Sequence, residues 1–297
     1  MSARRSPEEW VHEHVPRRLR RRLSQLNRFR WVHKAGLARR AGASVLRQPL
    51  TVLGFVLLDP EVDTYTYDLD NQDLQVSFVA GSLGITYERA SELLREAKSD
   101  PVLTAEITRR VRWRLDFKRR VWFGRRYAWY ALARELKPRL IVETGIKDGL
   151  GSVLLTRALE RNAEEGHPGK LLAFDLYPDK GWLVPERLRR WWEPIFEGTD
   201  VALEPALEGR EVGLFINDSV TSYDFARFEF EVALRHAAPR IALVAGSAHH
   251  SNALGEICRE VGVPYHYFAD RPRRHIHPGA ATAVGIVDRA KLKRRRR

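Results

Sequence analysis

One stretch constrains this chain more than any other, the run LIVETGIKDGLGS at 140–152. Its apolar opening from Leu140 reads as a buried strand that ends in Glu143. A loop carrying Gly145, Gly149 and Gly151 follows, and a helical pattern begins near Ser152. In an open α/β sheet, ligands bind beyond the carboxyl ends of the strands, where the strand order reverses. Glycines at that place let backbone approach a ligand and take positive φ. The start of the helix adds unpaired N–H donors and partial positive charge.

The spacing is not that of a dinucleotide fingerprint, which reads Gly-x-Gly-x-x-Gly. Here it is Gly-x-x-x-Gly-x-Gly, with Glu143 two positions before the first glycine. A carboxylate at the strand tip repels a pyrophosphate and attracts an ammonium, which favours a ligand with an amino-acid end over a nicotinamide dinucleotide. The next strand, Leu171 to Phe174, runs into Asp175. A carboxylate there can accept the hydroxyls of a ribose. Together the two acids and the glycine bend describe a site for a nucleoside joined to an amino acid.

From Pro138 onward, short apolar runs alternate with helical segments. Strands are predicted at Leu140–Val142, Leu171–Phe174, Val212–Ile216 and Ile241–Val244. Helices are predicted at Leu150–Arg161, Pro185–Trp192 and Tyr223–Arg235. That alternation indicates an α/β fold with a mostly parallel sheet covered on both faces. Two more strands, around Tyr265–Phe268 and Ala283–Val287, have no evident helix between them and predict an antiparallel C-terminal hairpin at the sheet edge.

Before Pro138 the sequence predicts a mainly helical region. Leu19, Leu23, Leu26 and Phe29 recur at helical spacing among arginines, giving a basic amphipathic helix over 16–32. Val52–Leu58 and Asp63–Asp68 read as short strands. Tyr87–Lys98, entered through a capping signal at Gly84–Thr86, and Thr104–Asp116 read as helices. Between Arg109 and Arg126 nine Lys and Arg residues are interleaved with Trp113, Phe117, Trp122 and Phe123. Such mixing suits single-stranded nucleic acid, while helical spacing predicts the plainer arrangement, aromatics inward and arginines outward.

Charge separates these regions. Residues 1–50 hold 13 Lys and Arg against 3 acids, and residues 271–297 hold 10 against 1, whereas the middle of the chain is net acidic. Basic ends suit nucleic acid, anionic lipid or an acidic partner, or they simply keep the chain soluble. No apolar run approaches the roughly 20 residues of a membrane-spanning helix, and the N-terminus has no apolar stretch behind its charges, so a cytoplasmic protein is expected. The single cysteine, Cys258, excludes an internal disulfide and a cysteine-based metal cluster. The expected organisation is a basic helical segment over 1–50, an accessory α+β region over 51–124, a catalytic domain over 125–288 and a basic tail over 289–297. Residues 1–50 are also a candidate for pairing subunits.

Glu143-x-Gly145-x-x-x-Gly149 followed by Asp175 resembles the class I S-adenosylmethionine-dependent methyltransferases. Gly181-Trp-Leu-Val-Pro185 and the stretch from Leu214 to Tyr223, leading into Phe228-Glu-Phe-Glu231, are similar to the bacterial small-molecule O-methyltransferases that include macrocin-type enzymes. The resemblance covers about residues 125–287. It implies a Rossmann-like seven-strand sheet with a reversed final hairpin and S-adenosyl-L-methionine as cofactor. It also implies a cofactor site made of Glu143, Gly145, Gly149, Ser152, Asp175, Asp218 and Ser219. Glu143 would face the methionine amino group, Asp175 the ribose, and Asp218 and Ser219 the sulfonium and the incoming substrate.

The chain departs from that pattern in two places. Relatives typically have His at Asn217 and His-x-Tyr where Thr221-Ser-Tyr223 stands here. Metal-assisted members carry an Asp pair after the fifth strand, where this chain reads Ala245-Gly-Ser-Ala-His249-His250. A magnesium site wants several oxygen ligands, and with the second carboxylate missing no metal is expected. Asp218, Tyr223 and His249, in that order, are the candidate bases for a hydroxyl acceptor. The expected activity is methyl transfer to a small molecule. The alternatives are a nucleic-acid methyltransferase, disfavoured by the lack of an Asn/Asp-Pro-Pro-aromatic motif after the fourth strand, and a non-catalytic cofactor-binding or scaffold protein on the same fold.

Overall fold

The computed structural model describes residues 34, 49–57, 66–114, 117–118, 120–275 and 277–290. They fall in two compact units. One comprises residues 1–65, 115–117 and 274–278, the other 66–114, 118–273 and 279–297. The predicted basic helix at 16–32 and the tail at 291–297 lie outside the described residues.

In the first unit the described element is helix α1, Pro49–Leu57. This corrects the strand expected at Val52–Leu58, whose last residue lies outside the described set. Short apolar runs do not distinguish strand from helix by pattern alone, and Pro49 at the first helical position supplies the helix start that β-branched composition concealed.

The second unit begins with helices α2 (Gln72–Leu83) and α3 (Tyr87–Ser99). Gly84 ends the first in a left-handed conformation, and the Thr86 side chain caps the second by accepting from Arg89 N. Of the strand expected at Asp63–Asp68, residues 66–68 are described and are not strand; the nearest pairing is a single bridge from Leu69 to Pro272. The helix expected at Thr104–Asp116 is a π turn, Val102–Glu106, running into a short helix α4, Ile107–Val111. The basic–aromatic segment that follows is therefore not one amphipathic helix, and Trp113 is 80% exposed rather than inward-facing.

Helix α5, Tyr127–Leu136, is buried along most of its length, with Trp129 and Tyr130 fully enclosed. It ends at Lys137 in a left-handed conformation ahead of Pro138, which cannot continue a helix. Its Arg134, also buried, pairs with Glu96 of α3 at 2.8 Å and with Glu165 at 2.6 Å.

The sheet is built from β1 (Leu140–Thr144), β2 (Lys170–Phe174), β3 (Trp192–Ile195), β4 (Val212–Asn217), β5 (Ala237–Ala245), β6 (His266–Ala269) and β7 (Ala281–Asp288), in the order β3-β2-β1-β4-β5-β7-β6. The first five run parallel; β7 is antiparallel to both β5 and β6. Helices α6 (Leu150–Glu164), α7 (Thr199–Leu207), α8 (Tyr223–Arg235) and α9 (Ala253–Val261) connect the strands. This is the Rossmann-like seven-strand architecture with a reversed final pair. The segment expected as a helix at Pro185–Trp192 is a 3-10 helix, Glu186–Trp191, leading into β3, a strand the sequence did not announce.

The strands bury side chains on both faces: every residue of β1 and β4 is buried, as a parallel sheet covered by helices requires. Val142, Phe215, Phe230, Leu203 and Ile257 belong to one core cluster between β1, β4, α7, α8 and α9. From β1 the chain builds outward to β2 and β3, then returns to place β4 on the other side of β1. The order reverses between β1 and β4, so their carboxyl ends frame the crevice where such sheets bind ligands.

Candidate functional site

Three acids surround the bend that leaves β1. Glu143, 1% exposed, accepts a hydrogen bond from Ser152 Oγ on the first turn of α6. Among the described residues no other donor reaches its carboxylate, so Oε1 is unused. Burial pushes the Glu143 carboxyl up to about 8; the Ser152 hydrogen bond and Arg126 oppose that rise, and Asp218 and Asp175 add to it. Asp175 follows β2. Its Oδ2 accepts from the backbone N–H of Lys147 at 2.9 Å and its Oδ1 from that of Tyr177 at 3.3 Å. The glycine bend is thus tied to the second strand tip through main chain.

Gly145 is where the bend needs glycine. Its φ is +88°, and a Cβ there would lie 2.4 Å from the carbonyl oxygen of Asp218. The backbone of β1's exit therefore touches that of β4's exit. Gly149 opens α6 with φ +97°. The 181–184 segment lies against this bend: Gly181 N donates to Lys147 O at 2.9 Å, and Trp182 Nε1 donates to Asp148 Oδ1 at 2.8 Å.

Asp218 is held by groups the sequence did not single out. Arg126 Nη2 meets its Oδ2 at 3.2 Å, Arg125 Nη2 lies 3.7 Å from its Oδ1, and Ser247 Oγ donates to Oδ1 at 3.3 Å. Arg125 is buried and has further partners: Gly246 O at 2.7 Å, Tyr67 Oη at 3.2 Å and Asp270 at 3.8 Å. One guanidinium thereby joins the tips of β4 and β5. Burial pushes the Tyr67 hydroxyl far above the phenol range, so it stays neutral and donates to Asp270 at 2.7 Å. The expected role of residues 109–126 as a helix with outward arginines concealed this; Arg125 and Arg126 leave a 3-10 turn, Gly124–Arg126, and point to the sheet.

Ser219 belongs to a second buried knot. Glu229 of α8, fully buried, accepts from Thr144 (2.7 Å), Asn217 (2.7 Å), Thr199 (2.6 Å) and Ser219 (3.1 Å). It fastens β1, β4 and α7 behind the crevice. Burial raises its carboxyl against those four hydrogen bonds. In the sequence Glu229 is visible only as part of the Phe228-Glu-Phe-Glu231 pattern, with nothing to mark it as buried.

The other two candidate bases lie differently. Tyr223 starts α8, is 39% exposed and donates its hydroxyl to Glu256 of α9, a bond that raises its pKa. It is not joined to the Asp218 group. His249 stacks on His250 with ring centres 3.9 Å apart, and its Nδ1 accepts from Ala281 N at 3.2 Å. Burial and the charges of His250 and Arg125 lower its pKa, so the ring is neutral near pH 7 with its proton on Nε2.

Residues 142–246 match a family described as a methyltransferase domain. No curated protein matches the sequence. Among solved structures, the O-methyltransferase TomG from Streptomyces achromogenes, involved in tomaymycin synthesis and in complex with SAM, is 14% identical; the match covers 81% of this chain and 96% of that one, with a TM-score of 0.41. A methyltransferase from Geobacter sulfurreducens is 19% identical, over 63% of this chain and 90% of that one, with a TM-score of 0.45. An O-methyltransferase from Bacillus cereus in complex with SAH is 12% identical, over 81% and 97%, with a TM-score of 0.41.

S-adenosylmethionine is the expected cofactor of the matched domain, and the residues present fit it. Glu143 offers a buried carboxylate with an unused oxygen to an ammonium. Asp175 lies at the second strand tip with its carboxylate partly exposed, and the bend between them carries no side chain at Gly145, Gly149 or Gly151. Among the described residues no helix is long and apolar enough to cross a membrane.

Proposed function

We propose that this chain is an S-adenosylmethionine-dependent O-methyltransferase acting on a hydroxyl of a small molecule, and that Glu143, Gly145, Gly149, Ser152, Asp175, Asp218 and Ser219 form its cofactor site. The observation that supports this best is the convergence of three acids on one bend: Ser152 of α6 hydrogen-bonds Glu143, the N–H of Lys147 is taken by Asp175, and Gly145 packs against the backbone of Asp218.

When bound, the cofactor supplies an electrophilic methyl group on a sulfonium, and the protein's work is to bind, orient and exclude water. Glu143 would hold the methionine ammonium, releasing to solvent the proton that burial keeps on its carboxyl near neutral pH. Asp175 keeps lone pairs for the ribose hydroxyls while the Lys147 N–H fixes its rotamer. Alignment of a hydroxyl oxygen with the methyl carbon can account for up to about 7–11 kcal/mol of the barrier.

The acceptor's proton has three candidate receivers. Asp218 stands at the crevice, but both its oxygens are engaged, and accepting a proton means giving up a contact to Arg126, Ser247 or Arg125. His249 is neutral, and its basic nitrogen, Nδ1, must give up the Ala281 N–H to accept. Tyr223 is committed to Glu256 on the α8–α9 surface. Asp218 remains first, with the two guanidiniums favouring the ionised form of an acidic acceptor hydroxyl.

Titration calorimetry with S-adenosylhomocysteine tests the proposal. Micromolar binding that falls at least tenfold in Asp175→Ala is the expected result; no binding by the wild-type chain overturns it.

A further inference from the structure

The two adjacent arginines are not equivalent. Arg125 is enclosed and has a partner for each of its nitrogens: Gly246 O, Tyr67 Oη with Asp270, and Asp218. Arg126 has one, the Asp218 carboxylate at its Nη2. Its side chain is 12% exposed, its guanidinium carbon lies 5.4 Å from the centre of the Trp129 ring, and among the described residues no acceptor meets its Nε or Nη1. Asp218 is itself divided between both arginines, so its one negative charge does not offset Arg126 alone.

Position gives this unused edge a purpose. Trp129, under the guanidinium, lies 2.9 Å from where a Cβ on Gly151 would stand, and Asp218 packs its backbone on Gly145. The ring beneath Arg126 and its carboxylate partner therefore both touch the glycine bend. Nε and Nη1 lie on different edges of the guanidinium, each shared with Nη2. A carboxylate takes one of these two N–H groups together with the second N–H of Nη2, a planar two-bond match that a lysine cannot reproduce.

We propose that Arg126 recognises a carboxylate on the methyl acceptor, so that the substrate class is hydroxy acids rather than neutral alcohols or phenols. This rests on the methyltransferase reading given above. A carboxylate could reach the same edge from the methionine end of the donor, and the test separates the two sources.

The probes are benzoate, 3,4-dihydroxybenzoate and 3,4-dihydroxycinnamate, each against its own amide, titrated into the complex with S-adenosylhomocysteine. At least one acid is expected to bind tenfold or more tightly than its amide. In Arg126→Gln that preference should shrink to within twofold while S-adenosylhomocysteine affinity stays within threefold; Arg126→Lys should retain part of the preference. No acid preference in the wild type, or a preference that survives in Arg126→Gln, overturns the assignment. A tenfold loss of S-adenosylhomocysteine affinity in Arg126→Gln, with 5′-methylthioadenosine unaffected, overturns it in favour of the donor's carboxylate. If the wild type binds no S-adenosylhomocysteine, it is the methyltransferase reading that fails. The acid–amide comparison on the free protein and on both variants then decides the role of Arg126 by itself.

Discussion

Glu143 and Gly151 occupy one another's space: a Cβ built on Gly151 would lie 2.0 Å from Glu143 Oε1 and 2.9 Å from the Trp129 ring. The third glycine of the bend is there for close approach, since its φ is not in the left-handed region. Gly151→Ala should therefore displace the Glu143 carboxylate, cost about 1–3 kcal/mol in urea unfolding and weaken S-adenosylhomocysteine binding at least tenfold. Gly81→Ala is the contrasting case. It lies within α2 with its nearest neighbour, His266 Nδ1, 3.6 Å from the new atom, and should stabilise by about 0.5–1 kcal/mol. Equal effects at the two positions would contradict this account.

Glu143 should make cofactor binding release a proton. Its carboxyl is raised to about 8 from an ordinary 4.5, and an ammonium partner favours the ionised form. Binding enthalpy at pH 7 should then differ between phosphate and Tris buffers by the buffers' ionisation heats, and affinity should rise from pH 6 to pH 8. Glu143→Gln should abolish both signs. A pH-independent affinity in the wild type would remove the ammonium role.

Stability has its own pH dependence from the same group. The native state holds the proton where the unfolded chain does not, so the contribution of Glu143 is fully present below 4.5 and is lost as pH rises through about 8. Relative to Glu143→Gln, the wild type should lose at most about 1.4 kcal/mol per pH unit across that window. Parallel denaturation series at half-unit pH steps measure the difference; a constant gap would show that Glu143 is ionised throughout.

Arg125 should matter to stability as well as to the site. Arg125→Met leaves Asp270 and Asp218 without their shared cation and Gly246 O without a donor. Removing one partner of a buried ion pair costs about 3–5 kcal/mol. Chemical denaturation should show a loss of that size, larger than for Arg126→Gln, whose partner Asp218 keeps Arg125 and Ser247. The reverse order would mean that Arg125 is not the element joining the β4 and β5 tips.

The strands β1, β2, β4 and β5 were legible in the sequence because each is a short apolar run set apart by local breaks, and burial on both faces leaves few polar residues inside it. The bend at 145–151 was legible for a related reason: glycines, an acid and a strand end sit within a dozen positions. Val52–Leu58 misled because its β-branched composition favours a strand while Pro49 starts a helix. β3 escaped because Trp192–Ile195 holds one charge and one proline among its four residues and is strand only beside β2.

The sequence by itself determined the strands β1, β2, β4 and β5, the helices that follow β1 and β4, the reversed final hairpin and the acids at the tips of the first two strands. These follow from periodicity and spacing, which act over a few residues. The tertiary structure alone decided what surrounds Asp218 and Glu143. Arg126 meets Asp218 across 92 positions and Tyr67 meets Asp270 across 203. A guanidinium far away in sequence becomes a neighbour only when the sheet order carries β4 back beside β1, and its charge then sets which oxygens of the site are already engaged and which edge is left for a ligand.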